Sequence, residues 1–419
     1  MPHTQKNKIE ALIQKGVHIP CPESVEIGKD VQIERISGIN VTIHTGCKIY
    51  GAKTLILSGT TIGEETPTTV KNCLMGSAVR LKGGYFESAV FLDHAEMGSG
   101  AHVRQGTILE EYASGAHTVG LKQTILFPFV TLGSLINFCD CLMSGGTSRK
   151  NHSEVGSSYI HFNYTPNQDK ATPSLIGDVP NGVMLNQPPI FLGGQGGLVG
   201  PCRIAYGTII AAGSVYRRDI PKPNQLVMDG AMRHASISFN KELYQNINRI
   251  LENNIIYMGN LIALAHWYYY IRRLWANDPM KVALNDGLLE TLQSGLDERI
   301  KQIKLFSEKM PQSIDEYKKM MSSPDRHPSI LDAKQALYDR CDALTAFCKN
   351  AFPPSSLTID DQFFAAMDCA KKESYVESIT SLDELTRKKG SLWLQSIVDA
   401  IYQGAYKIIP ECQPGNKHG

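Results

Sequence analysis

The sequence predicts a left-handed parallel β-helix of hexapeptide repeats followed by an all-α helical domain. Three observations carry this. An aliphatic residue followed by Gly or another small residue recurs in steps of about six through the first half. Two prolines and a fall in glycine density mark a break at Arg218-Asp219-Ile220-Pro221-Lys222-Pro223. Beyond about Asn240 the apolar spacing becomes three or four, the helical period.

The repeat is clearest at Val25-Glu26-Ile27-Gly28-Lys29-Asp30-Val31-Gln32-Ile33, Ile43-His44-Thr45-Gly46-Cys47-Lys48-Ile49 and Thr61-Ile62-Gly63. It continues at Met97-Gly98, Val119-Gly120, Leu132-Gly133 and Ile176-Gly177, and ends with Leu192-Gly193, Val199-Gly200 and Ile209 to Gly213. Each hexapeptide forms one side of a triangular coil. The aliphatic residue points inward, and the small one fits a corner where a left-handed backbone is cheap for Gly, Asn or Asp. Strands stacked about 4.8 Å apart make roughly ten coils a prism on the order of 45–50 Å long. A single coil cannot bury its own apolar face, so the array stands only as a stack. The repeat is imperfect at 66–84 and 127–146, and residues 144–189 depart furthest, which predicts projecting loops.

The expected organisation is an N-terminal arm at 1–16, the β-helix at 17–220, a linker at 221–239 and a helical domain at 240–419. Ile247, Leu251, Ile255, Met258, Ile262 and Ala265 form one helical face. Ser313-x-x-Glu316, Thr358-x-x-Asp361 and Ser381-x-x-Glu384 read as capping boxes that start helices. The last helix is expected at about 382–406, in a bundle of five or six. The run Trp267-Tyr268-Tyr269-Tyr270 surrounds its helix, so at least part of it packs in the core.

Composition narrows the function. Among 419 residues, 42 Lys+Arg balance 41 Asp+Glu, so no global charge argues for nucleic acid or an anionic membrane. The start MPHTQKNKIEALIQKGVHIP has no apolar core of signal length. The apolar stretch Ile255 to Leu274 contains Asn260, His266, Arg272 and Arg273 and reads as a buried helix, not a membrane span. Ten cysteines without framework spacing suggest free thiols and a cytoplasmic protein. No metal site is expected: His94, His102 and His117 fall on nearby coils without the short His pair that β-helix carbonic anhydrases use.

Hexapeptide β-helices are typical of acyltransferases. His161-Phe162-Asn163-Tyr164-Thr165-Pro166-Asn167-Gln168-Asp169-Lys170-Ala171-Thr172, followed by Leu175-Ile176-Gly177-Asp178, resembles the acetyltransferase domain of the bacterial bifunctional enzyme that makes UDP-N-acetylglucosamine. Val103-Arg104-Gln105-Gly106 and Gly115-Ala116-His117 fall in the order of that family's Arg-Pro-Gly and Gly-Ala-His elements, and Gly207 to Ser214 is similar to its final coils. The resemblance covers about half the chain. It implies an amino-sugar phosphate or nucleotide-sugar substrate, acetyl-CoA or another acyl-CoA as co-substrate, no tightly bound cofactor, and a homotrimer with sites between prisms. It implies that Arg104 meets a phosphate, that Asn163 and Tyr164 hold the sugar or acyl donor, and that Lys170 adds positive charge. Lys122 would take the place of a family lysine aligned near Leu126. Gly194, Thr208 and Ala212 would line the acyl-CoA.

Two departures qualify this. The family's base is a His in a coil that here reads Ser134-Leu135-Ile136-Asn137-Phe138-Cys139-Asp140-Cys141, with no His. Amine acetylation needs a base of near-neutral pKa. His161, two residues before Asn163, is the first substitute; Asp140 is the second and would need a raised pKa. The family's nucleotide-binding domain also has no counterpart ahead of the β-helix, so uridylyl transfer is not expected, and Gly193 to Gly197 reads as a corner. The competing expectation is a sugar-nucleotide binder or scaffold that has lost the catalytic His, its helical domain carrying a protein-partner surface.

Overall fold

The computed structural model describes residues 3–228, 236, 239–245, 247–320, 328–357, 359 and 361–414. After helix α1 (His3–Lys15), short strands coil into a parallel β-solenoid that spans Glu26–Ile27 to Leu226–Val227. Each coil has three sides. The first face runs through Lys48–Tyr50, Gly84–Glu87 and Ala101–Val103; the second through Leu55–Ile56, Ala89–Phe91 and Thr107–Leu109; the third through Thr61–Ile62, Glu96–Met97 and Ser114–Gly115. Register shows the six-residue phase directly. Glu96 pairs with Ser114 and Phe191 with Ile209, three hexapeptides on in each case. Strands Gly120–Leu126 and Asn137–Met143 turn the corner from first to second face without a break and join these two faces into one sheet.

Inward positions form aliphatic and aromatic columns. On the first face Ile49, Val70, Phe86, Val103, Leu121 and Phe138 stack in register and are buried. The second face differs from the other two because its outward positions are apolar as well. Leu55, Leu74, Val90, Ile108, Ile125, Leu142 and Leu175 pair coil to coil and are all buried. The helical region covers them.

Corners differ from the glycine-rich expectation. The backbone is left-handed at Gly51, Gly59 and Gly100, but also at Asn72, Ala78, Ser88, Tyr112 and Leu135. A left-handed L-residue costs about 1–2 kcal/mol. At the second–third corner, stacking offsets part of this: His94 lies 4.7 Å from Tyr112, and Tyr112 5.7 Å from Phe129, with nearly parallel rings.

The expected projections lie within 144–189. They are a hairpin pairing Gly146–Ser148 with Asn151–His152, a loop at 163–173, and one helical turn, α2 (Val179–Gly182).

The helical region comprises α3 (Ile247–His266), α4 (Pro279–Ser307), α5 (Met310–Met320), α6 (Pro328–Asn350), α7 (Asp361–Cys369), α8 (Tyr375–Thr380) and α9 (Glu384–Ile408). All six predicted face residues of α3 are buried. So are its Asn253, Asn254 and Asn260, since α3 is enclosed by the solenoid on one side and by α4 and α9 on the other. Their amides are put to use: Asn260 Oδ1 accepts from the Val179 amide at 2.8 Å, and Asn254 Nδ2 donates to the Ala171 carbonyl at 3.0 Å. Trp267 and Tyr268 are buried, while Tyr269 and Tyr270 are half-buried.

Two predicted helix starts are corrected. Ser313 lies inside α5, which begins at Met310, and its hydroxyl accepts from the Tyr244 amide instead of capping. The last helix is capped by Asp383, whose carboxylate accepts from the Thr386 amide, and not by Ser381. Asp383 is the better cap here because it immediately precedes the first helical residue, Glu384. The third predicted cap, Thr358, lies outside the described residues.

Candidate functional site

The predicted sugar-site residues converge on the corner between first and second faces. Lys122 pairs with Cys139 across adjacent coils. Arg104 follows Val103, which pairs with Leu121, so it stands beside Lys122 on the preceding coil. These residues alternate with the inward column of Val103, Leu121 and Phe138 and therefore face outward. Lys170 joins them from the 163–173 loop. Burial and the charge of Asp140 push the Cys139 thiol up, and Arg104, Lys122 and Lys170 act in the opposite direction. Among the described residues none of these three cations forms an ion pair. Three uncompensated cations at one corner create a field suited to a phosphate or diphosphate.

Asn163 is half-buried and its Nδ2 donates to Asp140 Oδ2 at 2.8 Å. The other oxygen of Asp140 accepts from Arg299 Nη2, on α4, at 2.7 Å, and this pair is almost wholly buried. Arg299 Nη1 donates to the Lys170 carbonyl at 3.1 Å. One guanidinium from the helical region thus fixes both ends of the 163–173 loop. The loop is pinned again where Tyr244 OH donates to Asp169 at 2.9 Å and Lys309 Nζ to the Asn167 carbonyl at 2.7 Å. Tyr164, 56% exposed, projects from this frame into solvent.

The two base candidates occupy structural positions. His161 pairs with Leu198 and lies on the inward side of the first face, only 3% exposed. Its Nδ1 is 2.6 Å from the Cys139 carbonyl, which can only accept, so Nδ1 carries the proton. Nε2 then accepts from the Ser174 hydroxyl at 2.8 Å, and Ser174 Oγ in turn accepts from the Cys202 amide at 3.0 Å. Burial lowers the imidazole pKa to about 4 against the pull of Asp140. A neutral ring with both nitrogens engaged inside the prism does not face a substrate. Asp140 has both oxygens committed, to Arg299 and Asn163.

His102, which in the sequence suggests only a metal ligand, is an exposed imidazole. It is two residues before Arg104 on the same outward side, and its ring stacks on Tyr85 at 5.2 Å. Its neighbour on the next coil is Gly120, which leaves that side of the ring uncovered by a side chain. The signal was the alternation His102-Val103-Arg104, which puts His and Arg on one face.

The proposed acyl-CoA residues lie elsewhere. Gly194 and Ala212 sit on adjacent coils at the third–first corner, where the Gly213 amide donates to the Gly194 carbonyl at 2.9 Å. The Thr208 side chain is wholly buried. Gly194 leads into Gly197–Val199, the first-face strand four coils beyond Ala101–Val103, so both the first face and several coils separate it from Arg104.

Such a parallel solenoid, with this loop at one corner, fits the hexapeptide-repeat acyltransferase class. No protein-family model matches the chain. It is similar to the bifunctional protein GlmU of Thermotoga sp. (strain RQ2), 28% identical over 226 residues, 54% of this chain and 45% of that one. It is also similar to the bifunctional protein GlmU of Pelobacter propionicus, 29% identical over 211 residues, 50% of this chain and 40% of the relative. The matched segment thus spans less than half of these relatives' length. The β-solenoid fits the acetyltransferase domain of that enzyme.

Proposed function

We propose that this chain is a hexapeptide-repeat acyltransferase acting on an amino-sugar phosphate or nucleotide sugar, with acetyl-CoA or another acyl-CoA as donor. The observation that carries the reading is the trio Arg104, Lys122 and Lys170, unpaired among the described residues and set beside Asn163 and Tyr164. In the reaction, the sugar amine attacks the thioester carbonyl, the carbon–sulfur bond breaks, and the leaving thiolate takes a proton. His102 is placed to accept the amine's proton, and backbone amides would stabilise the oxyanion. The proposal includes a homotrimer, in which the Gly194 and Ala212 corner of one copy would meet the sugar residues of the next.

A second reading, sugar-nucleotide binding without transfer, is favoured by the structural commitment of His161 and Asp140. The helical region then serves as scaffold or carries a partner surface. Among the described residues no helix is long and apolar enough to cross a membrane. A cytoplasmic location fits the thiol content.

Thiol release from acetyl-CoA in the presence of glucosamine 1-phosphate and related amino sugars tests transfer. Equilibrium dialysis with UDP-N-acetylglucosamine tests binding. Turnover lost in His102→Ala supports the first reading; binding without turnover across the panel supports the second. Arg104→Ala and Lys170→Ala are each expected to weaken binding about tenfold at low salt. Unchanged affinity in both would remove this corner as the site.

A further inference from the structure

A second cleft of about 550 Å³ opens at the second–third corner, between the solenoid and the helical region, away from Arg104 and Asn163. Its lining carries Asp93, Glu111, Glu373 and Glu377 together with Arg272, Lys281, Lys371 and Lys372, and the carboxylates concentrate at the floor. Glu110, Glu111 and Asp93 gather around one guanidinium. Arg272 donates to both oxygens of Glu111, at 2.6 and 2.7 Å, and to Glu110 at 2.7 Å. Tyr268 OH donates to the other Glu110 oxygen. Both terminal nitrogens of the arginine are thereby engaged, while its Nε has no hydrogen-bond partner among the described residues. Asp93 stacks one coil from Glu111, accepts from the Ser77 amide at 2.7 Å, and forms no ion pair among the described residues. Burial and the Glu111 charge push its carboxyl up, against the Ser77 amide and the charges of His94 and Arg272.

A second, independent feature is a buried donor without an acceptor. Asn285 lines the cleft, is 5% exposed, and its Nδ2 has no hydrogen-bond partner among the described residues. An orphaned buried amide costs about 1–3 kcal/mol and calls for a ligand oxygen. Lys281, half-buried at the rim, forms no ion pair among the described residues. Between floor and rim the wall is apolar, with Leu57, Leu92, Leu284 and Leu288, and aromatic at Tyr112 and Trp275.

An acidic floor, an unused amide donor and a basic rim complement a molecule with opposite charges at its two ends. We propose that this cleft binds a small zwitterion that carries an ammonium group, held by Asp93, and a carboxylate or phosphate, held by Asn285 and Lys281. Two sources share this chemistry: an α-amino acid with an apolar side chain and an amino-sugar phosphate. The assignment is independent of the function proposed for the first corner.

Calorimetric titration of the whole chain tests it, in an Arg104→Ala/Lys170→Ala background so that the first corner contributes little. The probes are L-leucine, glucosamine 1-phosphate and N-acetylglucosamine 1-phosphate, which lacks the ammonium. Binding of L-leucine alone assigns an amino-acid site, and binding of glucosamine 1-phosphate alone an amino-sugar site. In the latter case the acetylated sugar binds at least tenfold more weakly. Asp93→Asn weakens the bound zwitterion at least tenfold, and Lys281→Ala, which removes no side-chain hydrogen bond or ion pair among the described residues, weakens it severalfold. Failure of both zwitterions to bind, equal affinity for the acetylated sugar and its amine, or unchanged affinity in Lys281→Ala overturns the proposal. The Lys281 variant keeps the test decisive if Asp93→Asn does not fold.

Discussion

A histidine turned into the prism and one turned out of it are different reagents, although His161 and His102 lie on the same face of the same solenoid. The enclosed ring has a measurable signature. Folded, His161 takes up a proton only near pH 4, whereas the unfolded ring does so near 6.5. Between these values the unfolded chain binds more protons, so this residue's contribution is complete above pH 6.5 and lost as pH falls toward 4. The size is about 3 kcal/mol at most. Urea denaturation across this window should show the loss, and His161→Phe, which fills the column without titrating, should flatten it; an unchanged slope would mean another group controls it. Counting two residues back from Asn163 predicts both side chains on one side of a strand, but the strand ends at Phe162, and Asn163 turns to Asp140 while His161 faces the interior. What two residues of spacing cannot give is which side faces in. That emerges only when His161 is read in phase with Phe138 and Leu198, whose positions fix the inward column.

Among elements, the second face and helix α4 explain each other. Apolar residues at both inward and outward positions are visible in the sequence, as Leu55-Ile56, Val90-Phe91 and Ile108-Leu109, but nothing local says that a helix covers the outer one. The second apolar residue of each pair serves the prism, and the first serves the helices. Each such burial contributes about 1.5–3 kcal/mol. The partner of Asp140 was beyond reach of sequence reasoning because 159 residues separate it from Arg299. Arg299→Met leaves a buried carboxylate without its cation and should destabilise the chain by about 3–5 kcal/mol. Amide exchange in 163–173 should accelerate in that variant, and Asp140→Asn added to it should restore part of the loss. Protection of the loop equal to wild type would show that Tyr244 and Lys309 hold it unaided.

At the scale of the molecule, solenoid and helices form one body whose inner boundary is largely apolar. A chain ended at residue 228 would expose the whole outward ladder of the second face. Such a fragment is expected to aggregate, seen as light scattering on expression or refolding; a monodisperse, folded fragment would contradict this. The six-residue period and the change to helical period were legible because each reflects a local rule of burial. The docking of one half on the other depends on shape across distant residues, so no local period encodes it.

Helix α4 has one more consequence. It spans 29 residues, about 43 Å at 1.5 Å per residue, close to the length of the prism. Along it, Glu290 meets Lys53, Gly287 meets Leu74 and Arg299 meets Asp140. A bare stack of coils communicates only between neighbours and can fray from either end. A rod fastened to coils far apart makes early and late coils melt together, so heat should unfold the solenoid in a single step and not as a ripple from its ends.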